Sequence, residues 1–180
     1  MPISIRLATL DDAAGVAAVY APYCETPISF ELEPPDADEM RGRMARVLES
    51  YPWLVAEEGG SIVGYAYAGR HSERAAYLWS VNVSVYVARA RHRSGIGRSL
   101  YLTLFDMLRH QGFVNAYAGI TLPNPGSVGL HASLGFEPVG VYRRVGFKCG
   151  AWHDVAWYQL LLQAPLDPPP APVSILSVVI

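Results

Sequence analysis

The chain has 180 residues, 51% of them hydrophobic and 17% charged, which suits one folded domain with a sizeable core and excludes a disordered chain. Its net charge of −2 leaves no footprint for general nucleic-acid binding, so a local cluster of arginines must answer to a local anion. No apolar run approaches membrane-spanning length and nothing at the amino terminus resembles a secretory signal, so no membrane partner and a cytoplasmic location are expected.

Residues 3–8 alternate apolar and polar side chains as a half-buried strand does. Thr9 reads as the N-cap of a helix with Asp11 and Asp12 in its first turn, running through Val16, Val19 and Tyr20. Residues 22–35 read as a loop whose Ile28, Phe30 and Leu32 are either tucked into the core or held over a pocket. Residues 34–39 read as a second helix start, with Met40, Met44, Val47 and Leu48 giving its apolar stripe. Residues 53–57 and 62–69 form a hairpin around Gly59 and Gly60. Cys24 and Cys149 are read as reduced thiols, and the five histidines show no ligand spacing, so no metal is expected.

Residues 77–87 make a long strand with Val81, Val83, Val85 and Val87 on one face and Ser80, Asn82, Ser84 and Tyr86 on the other; a bulge would invert the faces beyond it. A basic turn with Gly95 and Gly97 follows and opens a helix to about Gln111, stopped by Gly112. Glycines let a ligand approach the backbone, and a helix N-terminus offers unpaired N–H groups to a phosphate; Arg91, Arg93 and Arg98 add charge. A P-loop needs four residues between its glycines and a following lysine, and a dinucleotide fingerprint needs a small residue where Leu100 stands, so neither matches. Residues 115–120 are a strand, 122–136 a turn and short helix with a glycine stop, and 137–145 and 155–162 close the sheet. The expected organisation is a single α/β domain over residues 1–163 with a mixed, largely antiparallel sheet. A proline-rich and then apolar tail follows over 164–180, either mobile or docked on a neighbouring surface.

The turn His92-Arg-Ser-Gly-Ile-Gly97 resembles the acyl-coenzyme A turn of the GCN5-related N-acetyltransferases, Gln/Arg-x-x-Gly-x-Gly/Ala, with His92 in the first place. Asn124, Ser127, Leu130, His131, Leu134, Gly135 and Phe136 fall on the second long motif of that superfamily. Tyr51-Pro-Trp-Leu-Val-Ala-Glu57, Tyr65-Ala-Tyr-Ala-Gly69, Val83-Ser-Val-Tyr-Val87 and Gly150-Ala-Trp-His-Asp-Val155 look like the phosphinothricin and methionine sulfoximine acetyltransferases.

That resemblance implies the GNAT fold, acetyl-CoA as cosubstrate, a small-molecule amine as acceptor, and a homodimer. It puts the cofactor on Val85, Tyr86, Val87, Arg93, Ser94, Gly95, Ile96, Gly97, Arg98, Asn124 and Ser133, with an amide near Val85 polarising the thioester carbonyl. It puts the acceptor against Phe30, Ser72, Glu73, Arg74 and Tyr77, where Arg74 could grip a carboxylate or phosphinate, and His131 near the acetyl centre as a polar or proton-relay group. The phosphinothricin-type pattern has a lysine where Ser72 stands and a glutamate where Asn82 stands. An amide orients a water but accepts no proton at working pH. Two readings follow: an active N-acetyltransferase in which His131, Tyr77, Glu73 or a water chain replaces the carboxylate, or an acetyl-CoA-binding sensor or vestigial paralogue with little catalysis.

Overall fold

Strands β1 (Ile3–Leu7), β2 (Trp53–Glu58), β3 (Ser61–Arg70), β4 (Ser80–Val87), β5 (Asn115–Thr121), β6 (Glu137–Lys148) and β7 (Ala151–Leu161) form one sheet in the order β1-β2-β3-β4-β5-β7-β6. This is a computed structural model, and it describes residues 2–178. Every neighbouring pair of strands is antiparallel except β4 and β5. Helices α1 (Ala13–Cys24), α2 (Ala37–Leu48), α3 (Ile96–Gln111) and α4 (Pro125–Ser133) complete the mixed α/β architecture expected from the sequence.

Two apolar layers sandwich the central strands, and side-chain alternation assigns each residue to one of them. On one face, Leu100, Leu104 and Leu108 repeat at helical spacing along α3 and bury against Leu54, Val81 and Val83. Each of these leucines is fully buried, which contributes about 1.5–3 kcal/mol apiece. On the other face, Val16 and Tyr20 of α1 and Met40 and Met44 of α2 pack with Trp53, Val55 and Tyr65. The α2 N-terminus is closed by Asp36, whose carboxylate accepts the Glu39 N–H at 2.8 Å. The α3 C-terminus is closed by Gly112 at φ +93°, a left-handed position that suits glycine.

Several boundaries differ from the sequence reading. Thr9 leads into a short 3-10 turn, Leu10–Asp12, before α1, with the Asp12 carboxylate accepting the Thr9 N–H at 2.8 Å. Helix α1 continues through Pro22 to Cys24. Tyr77 belongs to a 3-10 turn, Ala75–Tyr77, and β4 begins only at Ser80. The pairing of β4 with β3 is continuous from Val81 to Val87, so the two-face assignment holds along the strand. The last hairpin is longer than expected. Arg144 at φ +51° breaks the β6 alternation with a register shift between Tyr142 and Gly146, and pairing resumes to Lys148.

The tail docks on its own chain. Trp79 Nε1 donates to Pro170 O at 2.6 Å, Gln111 Nε2 donates to Ser50 O and Val173 O at 2.8 Å each, and Ile175 is buried. Of the apolar end expected at residues 175–180, Val179 and Ile180 lie outside the described residues.

Candidate active site

Strand β4 passes through a 3-10 turn, Arg89–Arg91, into the glycine turn and then α3. Arg93 at φ 62° and Gly95 at φ 83° are both left-handed, the conformation that curls successive N–H groups into an anion-binding nest. No side chain caps the α3 N-terminus, so the helix end is available to an anion. A Cβ on Gly97 would stand 3.3 Å from Leu130 and 3.6 Å from Val87, so a side chain larger than a methyl would crowd the space between helix and strand. Arg91 is taken by Glu58 at 2.7 Å, whereas Arg93 and Arg98 have no carboxylate partner among the described residues. His92, which replaces the Gln or Arg of the motif, sits 3.1 Å from Val87 O and 2.9 Å from the Tyr23 hydroxyl, tying the start of the turn to the end of β4.

The turn opens into a cavity of about 650 Å³. Val85, Tyr86, Val87, the whole of Arg93 to Arg98, Asn124 and His131 line it. Ser133 does not: its hydroxyl donates to Leu130 O at 2.8 Å, and its carbonyl accepts from Arg98 at 3.2 Å. Asn124 also caps α4, accepting the Ser127 N–H at 3.1 Å. Pairing between β4 and β5 ends at Asn82 and Tyr117, so the β5-facing edge of β4 beyond that point has no strand partner. An amide-bearing arm can lie along such an edge by strand addition. The nest, the uncapped helix and this free edge together fit a coenzyme A thioester, whose bound form supplies an activated acetyl group.

A second, larger cleft of about 1240 Å³ lies alongside, lined by Phe30, Tyr67, Arg70, Asn82 and Trp157 among others. Gly146 lies so close under the Phe30 ring that any side chain there would collide with it. Lys148 holds the same loop from below, its Nζ donating to Cys24 O and Ser29 O at 2.7 Å each and to Glu31 O at 2.5 Å. Ser72, Glu73, Arg74 and Tyr77, expected to line the acceptor site, are not in this wall; the arginine in it is Arg70, paired with Glu73 at 2.8 Å. The two cavities share Ile28, Val83, Ser84, Tyr86, Gly119 and Thr121.

Asn82 lines this larger cleft with its Oδ1 2.8 Å from His71 Nδ1, a partner the sequence reading missed. His131 is 3% exposed, and burial lowers its pKa. Its Nδ1 lies 2.8 Å from Ser127 O and must donate there, which leaves Nε2 to accept from the Tyr101 hydroxyl at 3.1 Å. Both ring nitrogens are therefore committed within the fold.

The sequence model of the acetyltransferase (GNAT) domain matches residues 5–157. The chain belongs to that family. It is an acetyl-CoA-dependent N-acetyltransferase. Phosphinothricin N-acetyltransferase of Streptomyces viridochromogenes is 41% identical to it over 170 residues, covering 94% of this chain and 93% of that protein. The L-methionine sulfoximine/L-methionine sulfone acetyltransferase of Salmonella typhimurium is 35% identical, over 89% of this acetyltransferase and 95% of its relative. The solved structure of yncA, an acetyltransferase from Salmonella typhimurium with its cofactor acetyl-CoA, superposes with a TM-score of 0.87 at 34% identity, covering 92% and 97% of the two chains.

Proposed function

We propose that this acetyltransferase moves the acetyl group to the α-amine of a small amino acid or analogue of the phosphinothricin, methionine sulfoximine or methionine sulfone type, working as a cytoplasmic homodimer. The observation that carries the reading is the wall common to the two cavities. A thioester bound in the glycine-turn cavity and an amine in the acceptor cleft meet at Val83 to Tyr86, beside Asn82. There the free edge of β4 offers main-chain N–H groups to the oxygen charge that develops as the acyl group is attacked. Arg70 brings a guanidinium into the acceptor cleft, the residue type suited to a carboxylate or phosphinate. The homodimer is supported by the outer strand β6, which exposes Val139, Val141, Tyr142, Val145 and Phe147.

Asn82, in place of the family glutamate, favours the second reading, a protein that binds acetyl-CoA and turns it over little. Thiol release from acetyl-CoA over a panel of amino acids, methionine sulfoximine, methionine sulfone and phosphinothricin separates the two. Turnover on one of these amines is expected. Tight acetyl-CoA binding with no turnover on any of them would leave the sensor.

A further inference from the structure

His71 begins the polar loop after β3, and no motif marks it. Its ring stacks on Tyr117 with centroids 4.4 Å apart, and the Trp157 ring lies perpendicular to it with centroids 6.5 Å apart. Its Nδ1 is 2.8 Å from Asn82 Oδ1. His71 is not itself in the wall of the acceptor cleft, but two of these neighbours, Asn82 and Trp157, are, and Tyr117 is the β5 residue that pairs with Asn82 at the point where the strands part. An amide oxygen only accepts, so the proton of the neutral ring sits on Nδ1 and the lone pair on Nε2. Nε2 has no hydrogen-bonding partner among the described residues and is not sealed from solvent.

We propose that His71 is the proton acceptor for the incoming amine, with Asn82 as the positioning residue that holds its tautomer and ring plane. This rests on the acetyltransferase reading of the cleft. A histidine–asparagine pair then takes the place of a carboxylate, the same division of labour as in cysteine proteases whose asparagine orients the histidine. The acceptor arrives as an ammonium, and Nε2 takes one proton from it through a water, since His71 stands outside the wall of the cleft. The freed nitrogen lone pair forms the bond to the acetyl carbon as the carbon–sulfur bond breaks. The second proton leaves the nitrogen for the departing sulfur, and the imidazolium returns its proton to solvent.

The other groups on the page are less suited to the task. Both nitrogens of His131 are bonded inside the fold. Glu73 is 89% exposed and engaged with Arg70. Near His71 in sequence stand Arg70 at the end of β3, paired with Glu73, and Arg74 on the loop; Tyr77 is at 5.7 Å from the following turn, with Asn82 from β4, Tyr117 from β5 and Trp157 from β7. The side chains nearest its ring, Asn82, Tyr117 and Tyr77, include no carboxylate and no cation.

The test compares wild type, His71→Gln and the double variant His71→Gln/Asn82→Glu on the best acceptor of the panel. It records kcat and KM against pH, acetyl-CoA affinity by calorimetry and thermal unfolding. His71→Gln is expected to lower kcat by about 10²- to 10⁴-fold near neutrality with acetyl-CoA affinity unchanged, and to erase the acid limb of the pH profile. The deficit should shrink as pH rises and solvent delivers the free amine. The double variant should regain rate, because a carboxylate returns beside the cleft. A folded His71→Gln enzyme that keeps kcat within threefold of wild type and retains the acid limb overturns the assignment of His71 alone. A wild-type protein that turns over no amine overturns the acetyltransferase reading and this assignment with it.

Discussion

Asn82 and Tyr117 are the last residues paired between β4 and β5, and the strands part beyond them. That parting frees one edge of β4 for a thioester arm and leaves Asn82 in the wall of the larger cleft, next in sequence to Val83 and Ser84, which line both cavities. The Asn82 amide takes no proton itself, and its Oδ1 is 2.8 Å from His71 Nδ1, the contact through which we propose it acts. Replacing Asn82 with Ala is expected to lower kcat by up to about 100-fold through loss of orientation, while acetyl-CoA affinity stays within twofold. Steady-state kinetics beside calorimetry checks both halves.

Gly97 is the second sensitive point. A valine there would press on Leu130 and Val87, an overpacking that costs about 1–3 kcal/mol and narrows the space beside the diphosphate nest. Gly97→Val should weaken coenzyme A binding by at least about tenfold. Gly129→Ala is the control, since a Cβ at Gly129 meets nothing within 4 Å. Calorimetric titration with coenzyme A should leave Gly129→Ala indistinguishable from wild type.

The features legible in the sequence obey short-range rules. The alternating valines of β4, the helix start at residues 34–39, the glycine turn and the Gly112 stop each need only a few neighbouring residues to be recognised. His71 and Arg70 were missed because their roles arise from distant pairings. Nothing within a few residues of His71 announces that β4 will bring Asn82 to its ring. The full β6–β7 hairpin was hidden by the left-handed Arg144, whose N–H donates to the Asp154 carboxylate at 2.7 Å and interrupts the period of two. The tail's docking depends on Gln111, which bonds Ser50 and Val173, residues far from it in sequence.

Strand β6 is an edge, and edge strands that expose aliphatic and aromatic side chains invite a partner. Val141 is 43% exposed and Phe147 57%. Val141→Arg is expected to shift sedimentation from twice 19.7 kDa to 19.7 kDa without changing the unfolding cooperativity. A wild-type protein sedimenting as the monomer would remove the homodimer from the proposal.

Lys148 is 8% exposed and donates to three main-chain carbonyls, one at the end of α1 and two in the loop that carries Ile28 and Phe30. Lys148→Met leaves those carbonyls without their shared donor, at about 1–3 kcal/mol for each that finds no water. Thermal unfolding should fall, and KM for the acceptor should rise more than KM for acetyl-CoA. The loop lines the acceptor cleft chiefly, which is why the two constants should separate.

His131 supplies a pH dependence of stability. Burial holds its pKa below the ordinary imidazole value, so the unfolded chain binds a proton more readily than the folded one. Stability from this residue is complete above the unfolded imidazole value of about 6.5 and is lost as pH falls toward the lower folded value. A proton on Nε2 would also oblige the Tyr101 hydroxyl, itself fully buried, to turn from donor to acceptor. The wild-type unfolding temperature should therefore drop between pH 7.5 and 5.5, and His131→Gln should show a smaller drop from a lower starting point. Equal slopes for the two proteins in calorimetric scans over that range would show that His131 stays uncoupled from folding.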